Sequence, residues 1–124
     1  MLNRCGCKPS EIVIFVCAGG ENVGQIAYNS ALSITKRGKA TTYCLIGIGA
    51  HVPGIVKLAK SAKKVIAVDG CQSSCSKKTL KHAGVKIHDH IIVTNEGIVK
   101  KEHASDITKN DIEKIRVIIE SKFE

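Results

Sequence analysis

Apolar residues fall along this chain in two alternating kinds of run, and the alternation predicts a fold. Four short stretches are almost continuously apolar or β-branched: residues 12–17 (Ile-Val-Ile-Phe-Val-Cys), 41–46 (Thr-Thr-Tyr-Cys-Leu-Ile), 65–68 (Val-Ile-Ala-Val) and 91–93 (Ile-Ile-Val). Short runs without polar alternation read as strands covered on both faces. Between them, apolar positions recur at helical spacing. Val23, Ile26, Ala27, Ser30, Ala31 and Ile34 make one face of a helix over about 22–36, with Asn22 as its expected N-cap and Gly38 as its stop.

The later segments repeat the scheme. Pro53 suits the first turn of a short helix carrying Ile55, Val56, Leu58, Ala59 and Ala62. A third helix is expected over about 73–83, stopped by Gly84, and Thr108 with Asp111 forms a capping pair for a last helix with Ile112, Ile115 and Ile119 facing inward. Residues 95–107 read as a longer connection. Strands alternating with helices imply an α/β fold of three αβα layers, with a four-stranded, mainly parallel sheet of flavodoxin or Rossmann type. Right-handed crossovers leave few topologies, and the order 2-1-3-4 is expected. Residues 1–10 are read as a loose leader and 11–124 as one α/β domain.

Composition fits that picture. Of 124 residues, 44% are hydrophobic and 24% charged, as in an ordinary globular protein. No apolar run approaches the roughly 18–20 residues of a membrane span, and the first ten residues lack the apolar stretch of a signal peptide. A cytoplasmic location is the default expectation. There, six cysteines are more readily metal ligands, redox groups or buried apolar filler than disulfides.

The formal charge of +8 suggests nucleic acid first. Against that, the only aromatics are Phe15, Tyr28, Tyr43 and Phe123, too few for a stacking platform. The lysines also fall on what read as solvated helix faces: Lys57, Lys60 and Lys64, then Lys77, Lys78 and Lys81. The charge is therefore read as surface rather than as a nucleic-acid site.

Chemistry gathers at the strand ends, where open α/β sheets bind ligands. Cys17 closes the first strand and opens the turn Ala18-Gly19-Gly20-Glu21-Asn22 into a helix. A thiol there can act as ligand or nucleophile, with Gly19, Gly20 and Asn22 as a cradle for a small anion. The turn matches neither Walker A, the dinucleotide glycine pattern nor a Cys-x5-Arg phosphatase loop, since Val23 stands where the arginine belongs. The third strand leads through Asp69-Gly70 to Cys71, with Cys75 one helical turn on. Asp69 is placed to accept amide hydrogen bonds or to support a ligand.

Cys44 is the awkward member. With two residues between it and Gly47, it would lie roughly 7–10 Å below the strand end at about 3.3 Å per residue. Either the strand ends early and lifts it into the site, or it is a core cysteine. Cys5-Gly6-Cys7 in the leader offers further ligands, a resolving thiol or nothing at all. Among the histidines, His51 follows the second strand and is the one expected to approach the cysteines. His88 and His90 precede the fourth strand, at the wrong end of the sheet for that site, and His82 is expected on an exposed helix face.

These blocks together resemble the DGC-domain family, small prokaryotic proteins named for an Asp-Gly-Cys motif and described as zinc-binding. The resemblance rests on Cys17–Gly24 with Gln25-Ile26-Ala27, on Cys44 through Gly49, on Asp69-Gly70-Cys71 with Cys75, and on Val93 through Ile98. It implies four metal-chelating cysteines at Cys17, Cys44, Cys71 and Cys75, and so moves Cys44 towards the ligands. Three readings follow. The first is a zinc protein that handles or senses metal. The second is a thiol-dependent redox or sulfur-transfer enzyme with Cys17 as nucleophile. The third is an iron–sulfur protein, for which four thiolates also suffice. Neither a substrate nor an enzymatic activity is fixed by the sequence.

Overall fold

The computed structural model describes residues 11–124. Four strands, β1 (Ile12–Val16), β2 (Thr41–Thr42), β3 (Lys64–Asp69) and β4 (Asp89–Ile92), form one all-parallel sheet in the order β2-β1-β3-β4. Five helices connect and cover them: α1 (Asn22–Lys36), α2 (Leu45–Gly49), α3 (Pro53–Ser61), α4 (Cys75–His82) and α5 (Lys109–Glu120). Among the described residues no helix is long and apolar enough to cross a membrane.

The continuous apolar runs are explained by two cores, one on each face of the sheet. Ile14, Val16, Ile66 and Val68 pack with Val23, Ile26, Ala27 and Ile34 of α1 and with Ile115 and Ile119 of α5. The alternate residues Val13, Phe15, Val65 and Ala67 pack with Ile48, Ala59 and Leu80 of α2, α3 and α4. In register, Val13 stands opposite Val65 and Phe15 opposite Ala67, so both central strands are apolar on both sides. Ser30 ties α1 to α5, its hydroxyl donating to the Ile26 carbonyl at 2.6 Å and lying 3.0 Å from that of Ile112.

Several local expectations are corrected. β2 is two residues long rather than running to Ile46. Tyr43 still donates its N–H to the Ile14 carbonyl, but Cys44 then caps α2, its sulfur accepting the Gly47 N–H. The glycine-rich stretch is thus a short helix. Gly47 lets the end of the Ile55 side chain pack directly against the helix backbone. Asn22 does not cap α1. Glu21 holds that position, and Asn22 is the first helical residue, 2% exposed and bonded to the segment 99–101. β4 begins at Asp89, Val93 belongs to a 3₁₀ turn over Val93–Glu96, and Ile112 is only partly buried. Thr108 does cap α5, accepting the Asp111 N–H at 3.1 Å, and Gly38 and Gly84 take the left-handed conformation after α1 and α4.

Candidate functional site

The early end of β2 decides where Cys44 goes. With its sulfur at the N-terminus of α2, Cys44 is exposed and lines a cleft of about 620 Å³ at the carboxyl edge of the sheet. Cys17 and Cys75 line the same cleft. Three thiols from the β1–α1 turn, the cap of α2 and the first residue of α4 therefore face one space. Their surroundings are mostly apolar: Val16, Ala18, Leu32, Tyr43, Leu45 and Ile46. Cys17 Sγ accepts the Gly19 N–H at 3.4 Å, and Cys44 Sγ the Gly47 N–H at 3.3 Å.

Cys71 stands apart from this trio. It is not among the residues lining the cleft, and it packs against the core on the α1 and α5 side. The Ser73 backbone N–H and then the Ser73 hydroxyl hold its thiol below the ordinary cysteine range, burial opposes them, and nearby Lys100 adds a smaller lowering effect. The Lys100 ammonium lies 3.6 Å from the sulfur. All four cysteines among the described residues are free thiols, and Cys5 and Cys7 lie outside those residues.

Asp69 has the role its position suggested. Its side chain is 1% exposed, Oδ1 accepts the Ser76 N–H at 2.6 Å, and Oδ2 lies 3.2 Å from the Lys77 nitrogen as acceptor. It thereby holds the start of α4, and with it Cys75, against the end of β3. Sequence reasoning missed its other partner. His90 Nε2 lies 2.8 Å from Asp69 Oδ2, because the two residues are diagonal neighbours on adjacent strands. Only the strand register reveals that pair.

Two members of the expected anion cradle, Gly19 and Asn22, are already engaged within the fold. The Gly19 N–H goes to Cys17, and the Gly19 carbonyl accepts from the Gln25 side chain at 3.0 Å. Asn22 donates from its amide to the Val99 carbonyl at 2.9 Å and accepts the Lys101 N–H at 2.5 Å, while its own N–H goes to the Lys101 carbonyl. Gly20 is exposed at the turn. His51 is not among the residues lining the cysteine cleft. Its ring stacks edge-on against His82 at 5.4 Å between centroids, beside Pro53 and Lys57.

As a metal centre, the cleft fits by donor chemistry: three thiols and an apolar lining suit a thiophilic ion. It is an open set rather than a closed one. Among the described residues no three His, Cys, Asp or Glu side chains converge as a ready-made metal-holding group.

The comparisons with known proteins agree with the motif blocks. No solved structure matches the chain. A protein named "Anaerobic and virulence modulator AnvM", from Pseudomonas aeruginosa, is 32% identical over 108 residues, covering 87% of this chain and 82% of that protein. The family model described as the DGC domain matches residues 13–119, from the first strand through the last helix and including all four described cysteines. The chain belongs to the DGC-domain family.

Proposed function

We propose that this protein handles or senses zinc through the thiolates of Cys17, Cys44 and Cys75. The observation that carries the reading is that three cysteines, from three separate segments, line one apolar cleft at the sheet's carboxyl edge. A bound ion would supply a Lewis-acidic centre, and three protein ligands leave a tetrahedral ion one open position, the pattern of exchange or catalysis rather than of a closed structural site. The chain's own residues prepare for it. The Gly19 and Gly47 N–H groups aim at two of the sulfurs, and Asp69 fixes the helix start that carries the third. Cys71 is left out of the ligand set in this reading, because Ser73 and Lys100 already hold its sulfur.

The open arrangement favours sensing over permanent storage. Thiols that must draw together to hold an ion exchange it more readily than a preformed cage does. The relative from P. aeruginosa is named for anaerobic modulation. Thiolate ligation is chemistry that oxidants undo, so metal sensing is the reading that joins the two.

The test is elemental analysis with an absorption spectrum on protein purified anaerobically, wild type beside Cys44→Ser. The expected result is near-stoichiometric zinc without visible colour, lost in the variant. A wild-type protein that neither carries zinc nor takes it up would overturn the reading. Visible colour with bound iron would replace it with the iron–sulfur alternative.

A second reading, thiol chemistry, is favoured by one specific observation. Cys71 is the thiol whose environment favours thiolate, through Ser73 and Lys100. If the protein is a thiol enzyme, Cys71 takes the nucleophile's place expected of Cys17. Activity in metal-free protein, abolished by Cys71→Ser and retained by Cys44→Ser, would favour it.

A further inference from the structure

A second concave site lies away from the thiols, and none of its lining residues is shared with the cleft. It is a groove of about 360 Å³ between α4 and the segment leading into β4, lined by Lys77, Lys81, Lys86, His88, Asp89 and His90 among others. Its lining is basic on balance: among the described residues none of its three lysines is in an ion pair, against one lining carboxylate, Asp89, which lies 3.9 Å from Lys64.

The two histidines are held by different nitrogens. His88 Nδ1 accepts the Val65 N–H at 2.9 Å, which puts the proton of the neutral ring on Nε2. His90 is held from the other side: Nε2 points at Asp69 Oδ2, an oxygen that also accepts the Lys77 N–H, so Nε2 is the donor. The carboxylate that orients it is 1% exposed. With both rings neutral, the nitrogens left over are a donor on His88 and an acceptor, Nδ1, on His90. Lysine ammoniums with one donor and one acceptor complement an oxyanion that itself carries a proton.

We propose that this groove is a binding site for a small phosphate, free or as a monoester, taken up with one proton on the phosphoryl group. Lys77, Lys81 and Lys86 supply the charge. His88 donates to a phosphoryl oxygen, and His90 accepts the P–OH proton. Inorganic phosphate keeps such a proton as its dianion, and a monoester carries one below its second ionisation, near pH 6. Sulfate matches the inorganic dianion in size and charge without the proton. The site thus selects by protonation as well as by charge, and it does not depend on the metal reading of the thiol cleft.

The test is a ¹H–¹⁵N NMR titration of the full chain at about pH 6 with inorganic phosphate, sulfate, a phosphate monoester and a single-stranded oligonucleotide, at matched ionic strength. Saturating shifts are expected at Lys77 and residues 85–90, with phosphate and the monoester binding about tenfold tighter than sulfate. Lys81→Ala with Lys86→Ala should weaken every anion, and His90→Gln should remove the preference for phosphate over sulfate. Thermal melts and the spectra of the free variants report whether each is folded. Equal shifts with phosphate and sulfate, or a phosphate response unchanged in the lysine variant, would overturn the proposal. Tight oligonucleotide binding with no response to phosphate would overturn it in favour of a nucleic-acid surface.

Discussion

Gly70 of the Asp-Gly-Cys motif lies directly against Gly24 of α1: a Cβ on Gly70 would come within 2.8 Å of the Gly24 nitrogen and 2.9 Å of the Val23 carbonyl carbon. Backbone meets backbone there, so neither side can yield by rotating a side chain. Gly70→Ala should therefore lower stability by about 1–3 kcal/mol, the usual cost of overpacking. Urea denaturation measures it, and an unchanged midpoint would mean that the contact is looser than described.

Asp69→Ala should cost more than Asp69→Asn. Alanine leaves the Ser76 and Lys77 N–H groups without their acceptor and takes away the partner of His90. Loss of a helix cap and of charge-assisted bonds at a buried position amounts to about 2–4 kcal/mol. Asparagine retains one oxygen to accept the Ser76 N–H. The two variants compared by denaturation, together with hydrogen exchange at Ser76 and Lys77, separate the cap from the histidine contact.

Cys71 should be the thiol that reacts at the lowest pH. Ser73 and Lys100 favour its thiolate, so the midpoint of its alkylation profile should lie below the ordinary cysteine value of about 8.5. Lys100→Ala should move that midpoint up and leave the backbone contribution of Ser73 in place. The linkage has a definite sign. The fold lowers this pKa, so the stability it adds is present above the unfolded value and is lost as pH falls through the folded one. An alkylation midpoint at or above that of a free thiol would contradict the assignment.

Asn22→Ala should free the connection after β4. Asn22 makes its three bonds to Val99 and Lys101, some eighty residues away in sequence. Alanine keeps the backbone bond, but loss of the two bonds of a 2% exposed side chain should destabilise the fold by about 1–3 kcal/mol and raise hydrogen exchange at Lys101 ahead of the strands. Uniform exchange across the chain would argue that the segment is not tied down by Asn22.

The layered sheet and its strand order were legible because buried parallel strands leave continuous apolar runs and helices leave a 3.6-residue stripe. The capping of α5 by Thr108 and the stops at Gly38 and Gly84 were legible for the same reason, since each depends on neighbours in sequence. Asn22 was misjudged as a cap because its true partners lie on a distant loop that no local pattern announces. Cys44 was ambiguous because β2 ends at Thr42 and α2 begins at Leu45, a change that no local pattern announces. The Asp69–His90 pair needs the β3–β4 register and was out of reach. An aspartate at a strand end shortly before a helix was nevertheless a fair signal for the cap it provides.

The trio of cleft cysteines is tested most directly by residue-resolved alkylation, read by mass spectrometry on anaerobic protein with and without added zinc. Zinc should protect Cys17, Cys44 and Cys75 together, while Cys71, held by Ser73 and Lys100, continues to react. Equal labelling of all four cysteines in both conditions would contradict the proposed site. Protection of Cys71 alongside the other three would replace it with the four-cysteine site that the family resemblance implies.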